Sequence, residues 1–275
     1  MGTGARIVYT DLDGTMVGPR GSFWHTAGRE LTAAPATALL ELHRAGVALV
    51  LVSGRTFEQV VEAARIFAAD GAIAELGATI SWDAGRGMHQ LTGALPEEYA
   101  GRSPMDVMAE LGVVEKLIGE HPGQLEWHAP WHATHATDAL LRGRVDPVEV
   151  DAWLAEQGAG WLTLNDNGAI PPTSRFGLDD DPLPPRVYHL MPRGISKGAA
   201  IAWDLERRGL SPADAVAIGD SVSDLDMAPA VGRLFITANG ASVDGMAGRV
   251  DAVPNAEVTD GAMGEGWARA VLTSL

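Results

Sequence analysis

A chain of 275 residues without a cysteine is long enough to bury a core without covalent staples, and it offers no disulfide, thiolate nucleophile or cysteine-ligated metal centre. Its formal net charge of −16 argues against a nucleic-acid partner, because such binding rests on neutralising backbone phosphates with Lys and Arg. No run of about 18 apolar residues and no basic amphipathic stretch occurs, so no membrane association is expected. Residues 1–7 lead into an apolar segment without a basic leader, as expected of a cytoplasmic protein.

Residues 7–10 are short and partly β-branched and predict a strand. A helix is expected over 35–45, with Pro35 in its first turn, Leu39, Leu40, Leu42 and His43 on one stripe, and Gly46 just past its end. Residues 47–52 are continuously apolar, the pattern of a parallel strand covered on both faces, and Ser53-Gly54-Arg55 closes them. A second helix over 56–68 carries Val60, Val61, Ala64 and Phe67 at helical spacing, and strand and turn character follows over 73–80. The alternation resumes near the C-terminus with a helix over 197–207, strands at 216–218 and 234–236, and a last helix after Gly261. This is an α/β pattern in which one sheet joins both ends of the chain. Between them the texture changes to most of the histidines, Trp127, Trp131, Trp153 and Trp161, and a proline-rich stretch at 182–185. An inserted domain over 93–189 is expected, flanked by core segments 1–92 and 190–275, with the tryptophans in its core.

The chemistry concentrates at strand ends. Asp11-Leu12-Asp13-Gly14-Thr15 follows the first strand, at the edge where open α/β sheets place ligand sites, and the alternation sets Asp11 and Asp13 side by side as nucleophile and acid/base candidates. Ser53 ends the second apolar strand, where its hydroxyl and nearby backbone N–H groups reach the same edge, with Arg55 adding charge. Lys197 opens a predicted helix behind Ser196, a plausible cap, where a cation is unfavourable to the helix dipole unless an anion compensates. Gly219-Asp220-Ser221-Val222-Ser223-Asp224 follows another short apolar strand. Asp11, Asp220 and water, with Asp224 close by, make an all-oxygen environment suited to octahedral Mg2+.

In this order the four segments resemble the signature motifs of the haloacid dehalogenase superfamily. The insertion between the second and third resembles its second class of cap, and the details are similar to the branch holding Cof-type, sucrose-phosphate and mannosyl-3-phosphoglycerate phosphatases. The resemblance implies a Rossmann-like parallel-sheet core with an inserted smaller α/β cap domain. It implies a magnesium-dependent phosphomonoester hydrolase acting on a small-molecule phosphate ester, with a sugar or glycosyl phosphate as first expectation. In that scheme Asp11 is the nucleophile, Asp13 the acid and base, and Thr15 the residue that positions Asp13. Ser53 and Lys197 hold the phosphoryl oxygens, and Thr15, Gly54 and Arg55 join Ser53 in the substrate-binding set. The metal set is Asp11, the backbone carbonyl of Asp13, Asp220 and Asp224. Magnesium and Lys197 would then supply the local positive charge that the net −16 denies to an anionic substrate. A phosphosugar mutase of the phosphomannomutase type and a non-catalytic sugar-phosphate-binding protein are the alternatives. The oligomeric state, monomer or homodimer, is left open.

The chain departs from that branch at Glu75-Leu76-Gly77-Ala78, where Asn-Gly is usual, and at Ser223, where Asn is usual. Asn255 and Asp260-Gly261 resemble the branch's closing segment. In the insert, His132 and His135 are spaced to share a helix face and suggest a metal site or substrate contacts, but Pro130 and the lack of cysteines favour a core role over either. Arg142, Arg144, Arg175, Arg186 and Arg193 are cations available to a second anionic group, and none is singled out.

Overall fold

The computed structural model describes residues 4–171, 173 and 175–275; residues 1–3, on which the reading of the opening segment partly rests, lie outside the described residues. Two compact units are present, Met1–Leu91 with Ser196–Leu275, and Thr92–Ile195.

In the first unit, β1 (Ile7–Thr10), α1 (Ala34–Arg44), β2 (Ala48–Val52), α2 (Phe57–Ile66) and β3 (Gly71–Ala74) alternate as the apolar pattern predicts. A hairpin of β4 (Thr79–Trp82) and β5 (Gly87–Gln90) follows. In the second unit come α3 (Pro104–Leu111), α4 (Val113–Glu120), β6 (Leu125–Trp127), β7 (Ala139–Gly143), α5 (Pro147–Glu156), β8 (Leu162–Ala169) and β9 (Arg186–Pro192). The chain returns to the first unit through α6 (Lys197–Arg208), β10 (Ala215–Gly219), α7 (Val222–Leu225) and β11 (Arg233–Ile236). It ends with α8 (Ala238–Ala241), α9 (Met246–Asp251), β12 (Ala256–Val258) and α10 (Met263–Ser274).

The first unit holds one sheet in the order β12-β11-β10-β1-β2-β3-β4-β5. Its strands are parallel from β12 to β3, whereas β4 and β5 pair antiparallel at one edge. Strand β1 sits between β10 and β2, so both ends of the chain meet at its C-terminal edge. Continuous apolar runs are required because both faces are covered. Val8, Leu49, Leu51 and Ile218 face a cluster with Leu42 and Trp267, while Ile7, Tyr9, Val50 and Val52 face one with Ile201, Leu205 and Met227. The α6 side is pinned by Tyr9, whose hydroxyl donates to Asp204 at 2.9 Å, with Arg207 and Arg208 on the same carboxylate. Burial, and then the adjacent Asp204, hold the Tyr9 phenol protonated far above its ordinary range.

The second unit has its own sheet, β6-β7-β9-β8, antiparallel throughout. Leu141, Leu190, Tyr188 and Leu164 pack there with Val114, Leu117, Val150 and Leu154. This unit closes at Ile195 rather than at the expected 189, because Arg186–Pro192 is one unbroken strand between β7 and β8. Trp127, Trp153 and Trp161 flank its core as expected, but Trp131 is exposed. His132 and His135 share no helix face: residues 131–134 form one 3-10 turn and His135 turns inward. Arg142, Arg144, Arg186 and Arg193 are spent on acceptors within this unit, namely Glu126, the Leu183 carbonyl, Asp166 and Asp151. Among the described residues no helix is long and apolar enough to cross a membrane.

Tyr9→Phe removes one buried hydrogen bond while Asp204 keeps two arginines, so it is expected to cost about 1 kcal/mol. Asp204→Ala strands the phenol and two guanidinium groups and is expected to cost roughly 3 kcal/mol. Urea denaturation of both variants checks this order.

Candidate active site

Four strand ends of the first unit converge on one pocket of carboxylates. Asp11, directly after β1, is tied down by its backbone N–H to the Ile218 carbonyl at 2.9 Å and is almost wholly buried. Lys197, the first residue of α6, is 3 % exposed and donates through Nζ to Asp11 Oδ1 at 2.8 Å and Asp224 Oδ1 at 2.6 Å. Ser196 caps this helix as expected, accepting from the Ala199 N–H. The expected compensating anions are therefore two carboxylates of the chain itself. Burial works against the Lys197 charge, but Asp11 and Asp224 outweigh it and hold its pKa above the ordinary value.

Oxygen ligands of Asp11, Asp220 and Asp224 lie within 4.8 Å of one another. Asp224 is largely committed, since its second oxygen accepts from the Asp220 and Ser221 N–H groups and the Ser221 hydroxyl. Burial alone would raise its pKa, yet Lys197 and Ser221 keep it below the usual range. Asp220 and Asp11 have no such surplus of donors. Burial pushes Asp220 well above its usual range, with Asp11 and Asp224 adding to it, and burial pushes Asp11 up to about 7 despite Lys197. Four carboxylates, counting Asp13, face two cations, Lys197 and Arg55. The deficit is two charges, which one divalent cation cancels, and an all-oxygen donor set suits a hard one.

Asp13 is half exposed and its two oxygens accept from Arg55 Nε and an Arg55 terminal nitrogen, both at 2.6 Å. Arg55, expected to meet a substrate anion, thus meets Asp13 in this arrangement. Ser53 is buried at the end of β2, where its hydroxyl accepts from the Arg55 N–H at 3.2 Å, and Gly54 lies in the bend between them. Thr15, expected to position Asp13, donates instead to Asp220 Oδ1 at 3.1 Å and is fully buried. Gly14 adopts φ +85°, and any Cβ there would collide with the Asp220 carboxylate, so only glycine permits this approach.

The departures have local explanations. Glu75, Leu76 and Gly77 all have positive φ, and this turn is fastened to the Ser53–Arg55 bend by the Leu76 N–H to the Ser53 carbonyl and the Glu75 N–H to the Arg55 carbonyl. A Cβ on Gly77 would strike the Ser196 carbonyl, so the turn abuts the start of α6. Ser223 reaches the Ser221 hydroxyl at 2.9 Å, next to the Asp224 cap. Asn255 donates to the Ala228 and Val231 carbonyls and is structural.

Asn239 was not read from the sequence. It follows β11 and donates to the Gly14 carbonyl at 2.9 Å and to Asp220 Oδ2 at 3.0 Å, while its own oxygen accepts from the Met263 N–H. The available signal was Asn239-Gly240 just beyond an apolar strand; a Cβ on Gly240 would strike the Asp220 carbonyl.

Residues 183–244 match the family model described as haloacid dehalogenase-like hydrolase. Among curated proteins, the chain is similar to a phosphoglycolate phosphatase of Methanoculleus marisnigri, 26 % identical over 82 % of this chain and 81 % of that one. Among solved structures it is similar to the sucrose-phosphatase of Synechocystis, at a TM-score of 0.64 and 16 % identity over 97 % and 96 % of the two chains. It is also similar to a haloacid dehalogenase-like hydrolase from Bacteroides thetaiotaomicron, at a TM-score of 0.62 and 16 % identity over 98 % and 100 %. Residues 183–244 thus carry the pattern of a haloacid dehalogenase-like hydrolase, and the fold of the chain is shared with these solved structures.

Because Asn239 orients Asp220 from behind, Asn239→Ala is expected to weaken divalent-cation binding by about 10–100-fold with little change in fold. Cation titration followed by calorimetry, with circular dichroism as the folding control, checks this.

Proposed function

We propose that the chain is a magnesium-dependent phosphomonoester hydrolase that acts on a small organic phosphate through an aspartyl phosphate formed on Asp11. The observation that carries this reading is the buried Asp11–Lys197–Asp224 cluster beside Asp220 at the C-terminal edge of the sheet.

Asp11, the Asp13 carbonyl and Asp220 would hold magnesium, with Asp224 beside them, and the bound ion would offset negative charge on the transferring phosphoryl group. Lys197 works against the burial that favours protonated Asp11 and supplies a donor to a phosphoryl oxygen. An Asp11 oxygen bonds to phosphorus as the ester P–O bond breaks, and Asp13, having taken a proton from solvent on leaving Arg55, gives that proton to the departing oxygen. Asp13 then takes a proton from the water that attacks phosphorus and frees Asp11. For this Asp13 must leave Arg55, and an arriving phosphoryl group gives the guanidinium a competing anion. Ser53, at the end of β2, is placed to donate to the same group.

The substrate class rests on likeness: a sugar or glycosyl phosphate by the resemblance of the motifs, 2-phosphoglycolate by the name of the Methanoculleus relative. Phosphate release from a panel of sugar, glycosyl-glycerate, glycolate and nucleotide phosphates is the test. Release from at least one is expected with magnesium, disappearing with EDTA and in Asp11→Asn, and falling about 10²–10³-fold in Lys197→Ala. Isomerised product without free phosphate would establish a mutase instead, and magnesium-independent binding without turnover a sugar-phosphate-binding protein.

A further inference from the structure

A second cluster of potential ligands lies in the second unit, and its chemistry differs from that of the first. Asp138, the residue before β7, is wholly buried, and both of its oxygens are taken by imidazoles. His135 Nδ1 donates to Oδ1 at 2.7 Å and His189 Nδ1 donates to Oδ2 at 2.6 Å. The three side chains are 3 %, 0 % and 1 % exposed, and one donor atom from each lies within 4.8 Å of the others. His189 is paired with Leu140 in mid-strand, so alternation turns it away from the face where Leu141, Tyr188 and Leu190 pack on the helices.

The segment that covers this face brings two more imidazoles. His128 and His132 each bury Nδ1 with no hydrogen-bond partner among the described residues. Burying an unpaired ring nitrogen is costly, and native structures rarely tolerate it without a ligand or water. The Arg142 cation is itself answered by Glu126 at 2.6 Å, while Asp138 is the one carboxylate held among the imidazoles.

We propose that His135, Asp138 and His189 form a transition-metal site whose chemistry fits zinc, with the fourth position filled by water or by a neighbouring imidazole that moves in. Neutral imidazole nitrogens and one carboxylate suit zinc and serve magnesium poorly, the reverse of the all-oxygen set around Asp11. Zinc–ligand bonds of about 2.0–2.2 Å in a tetrahedron separate ligands by roughly 3.4 Å, so the imidazole on the ligating Asp138 oxygen must move back from it as the metal enters. The protons that the imidazoles now give to Asp138 move to the other ring nitrogen or to solvent, so no other reactant is needed. A metal held there ties β7, β9 and the 128–138 segment together and stabilises the second unit.

The test uses metal-stripped full-length protein reloaded with zinc in a large excess of magnesium, desalted and assayed for metal. One zinc per chain is expected in the wild type and in Asp11→Asn and none in His189→Gln, with a rise in the wild-type thermal midpoint on zinc loading. A wild type that keeps no zinc, or zinc kept by His189→Gln and lost by Asp11→Asn, overturns the proposal. Should His189→Gln fail to fold, cobalt in the wild type decides. Intense visible bands of four-coordinate cobalt support the site, and only the weak bands of six-coordinate cobalt overturn it.

Discussion

A single buried ammonium group holds the first unit's site together. Lys197 stands at the first turn of α6 between Asp11, which ends β1, and Asp224, which follows β10. An isolated cation so deeply buried would carry a prohibitive desolvation cost, and two carboxylates at hydrogen-bonding distance are what make it tenable. The arrangement brings together residues some 190 positions apart in the chain, and it does so only because β1 lies next to β10. Removing the lysine would leave Asp11 and Asp224 facing each other in a dry site, and at least one would have to take up a proton.

The surrounding backbone is shaped to the same requirement. Gly14, Gly77 and Gly240 each sit where a Cβ would strike Asp220 or the start of α6, so the turns after β1, β3 and β11 close in on the carboxylates to a distance that only glycine permits. Thr15 and Asn239 use that proximity to orient Asp220 from two sides, leaving it aimed at the pocket it shares with Asp11. Asp224 is the structural partner of the set, its oxygens consumed by Lys197 and by the turn it caps. Three acidic residues of one type thus meet different surroundings: Asp11 faces a lysine, Asp220 two neutral donors, and Asp224 both the lysine and the turn it caps.

The two units keep separate cores and separate sheets, and each holds a buried polar cluster of its own character. Around Asp11 the donors are carboxylates, starved of positive charge. Around Asp138 they are imidazoles already organised on one carboxylate. Hard and borderline cations would sort between such sites by ligand type alone.

Much of the first unit was legible in the sequence, because continuous apolar runs, helical stripes and Gly-Asp turns are local patterns with local causes. Strands β1, β2 and β10, helices α1 and α6, and the strand-end positions of Asp11, Ser53 and Asp220 follow from residue order alone. What residue order did not contain is pairing. Nothing near Arg55 says that its guanidinium meets Asp13, nothing near Thr15 that its hydroxyl meets Asp220, and nothing near Asn239 that it serves a carboxylate after a different strand. The spacing of His132 and His135 suggested a shared helix face, whereas the partners of His135 are Asp138 and, through it, His189 on a strand about fifty residues away. Local periodicity is set by backbone geometry and so can be read along the chain. Which charged groups share a buried pocket is set by strand order and by the cost of leaving any of them unpaired, and only the tertiary structure decides that.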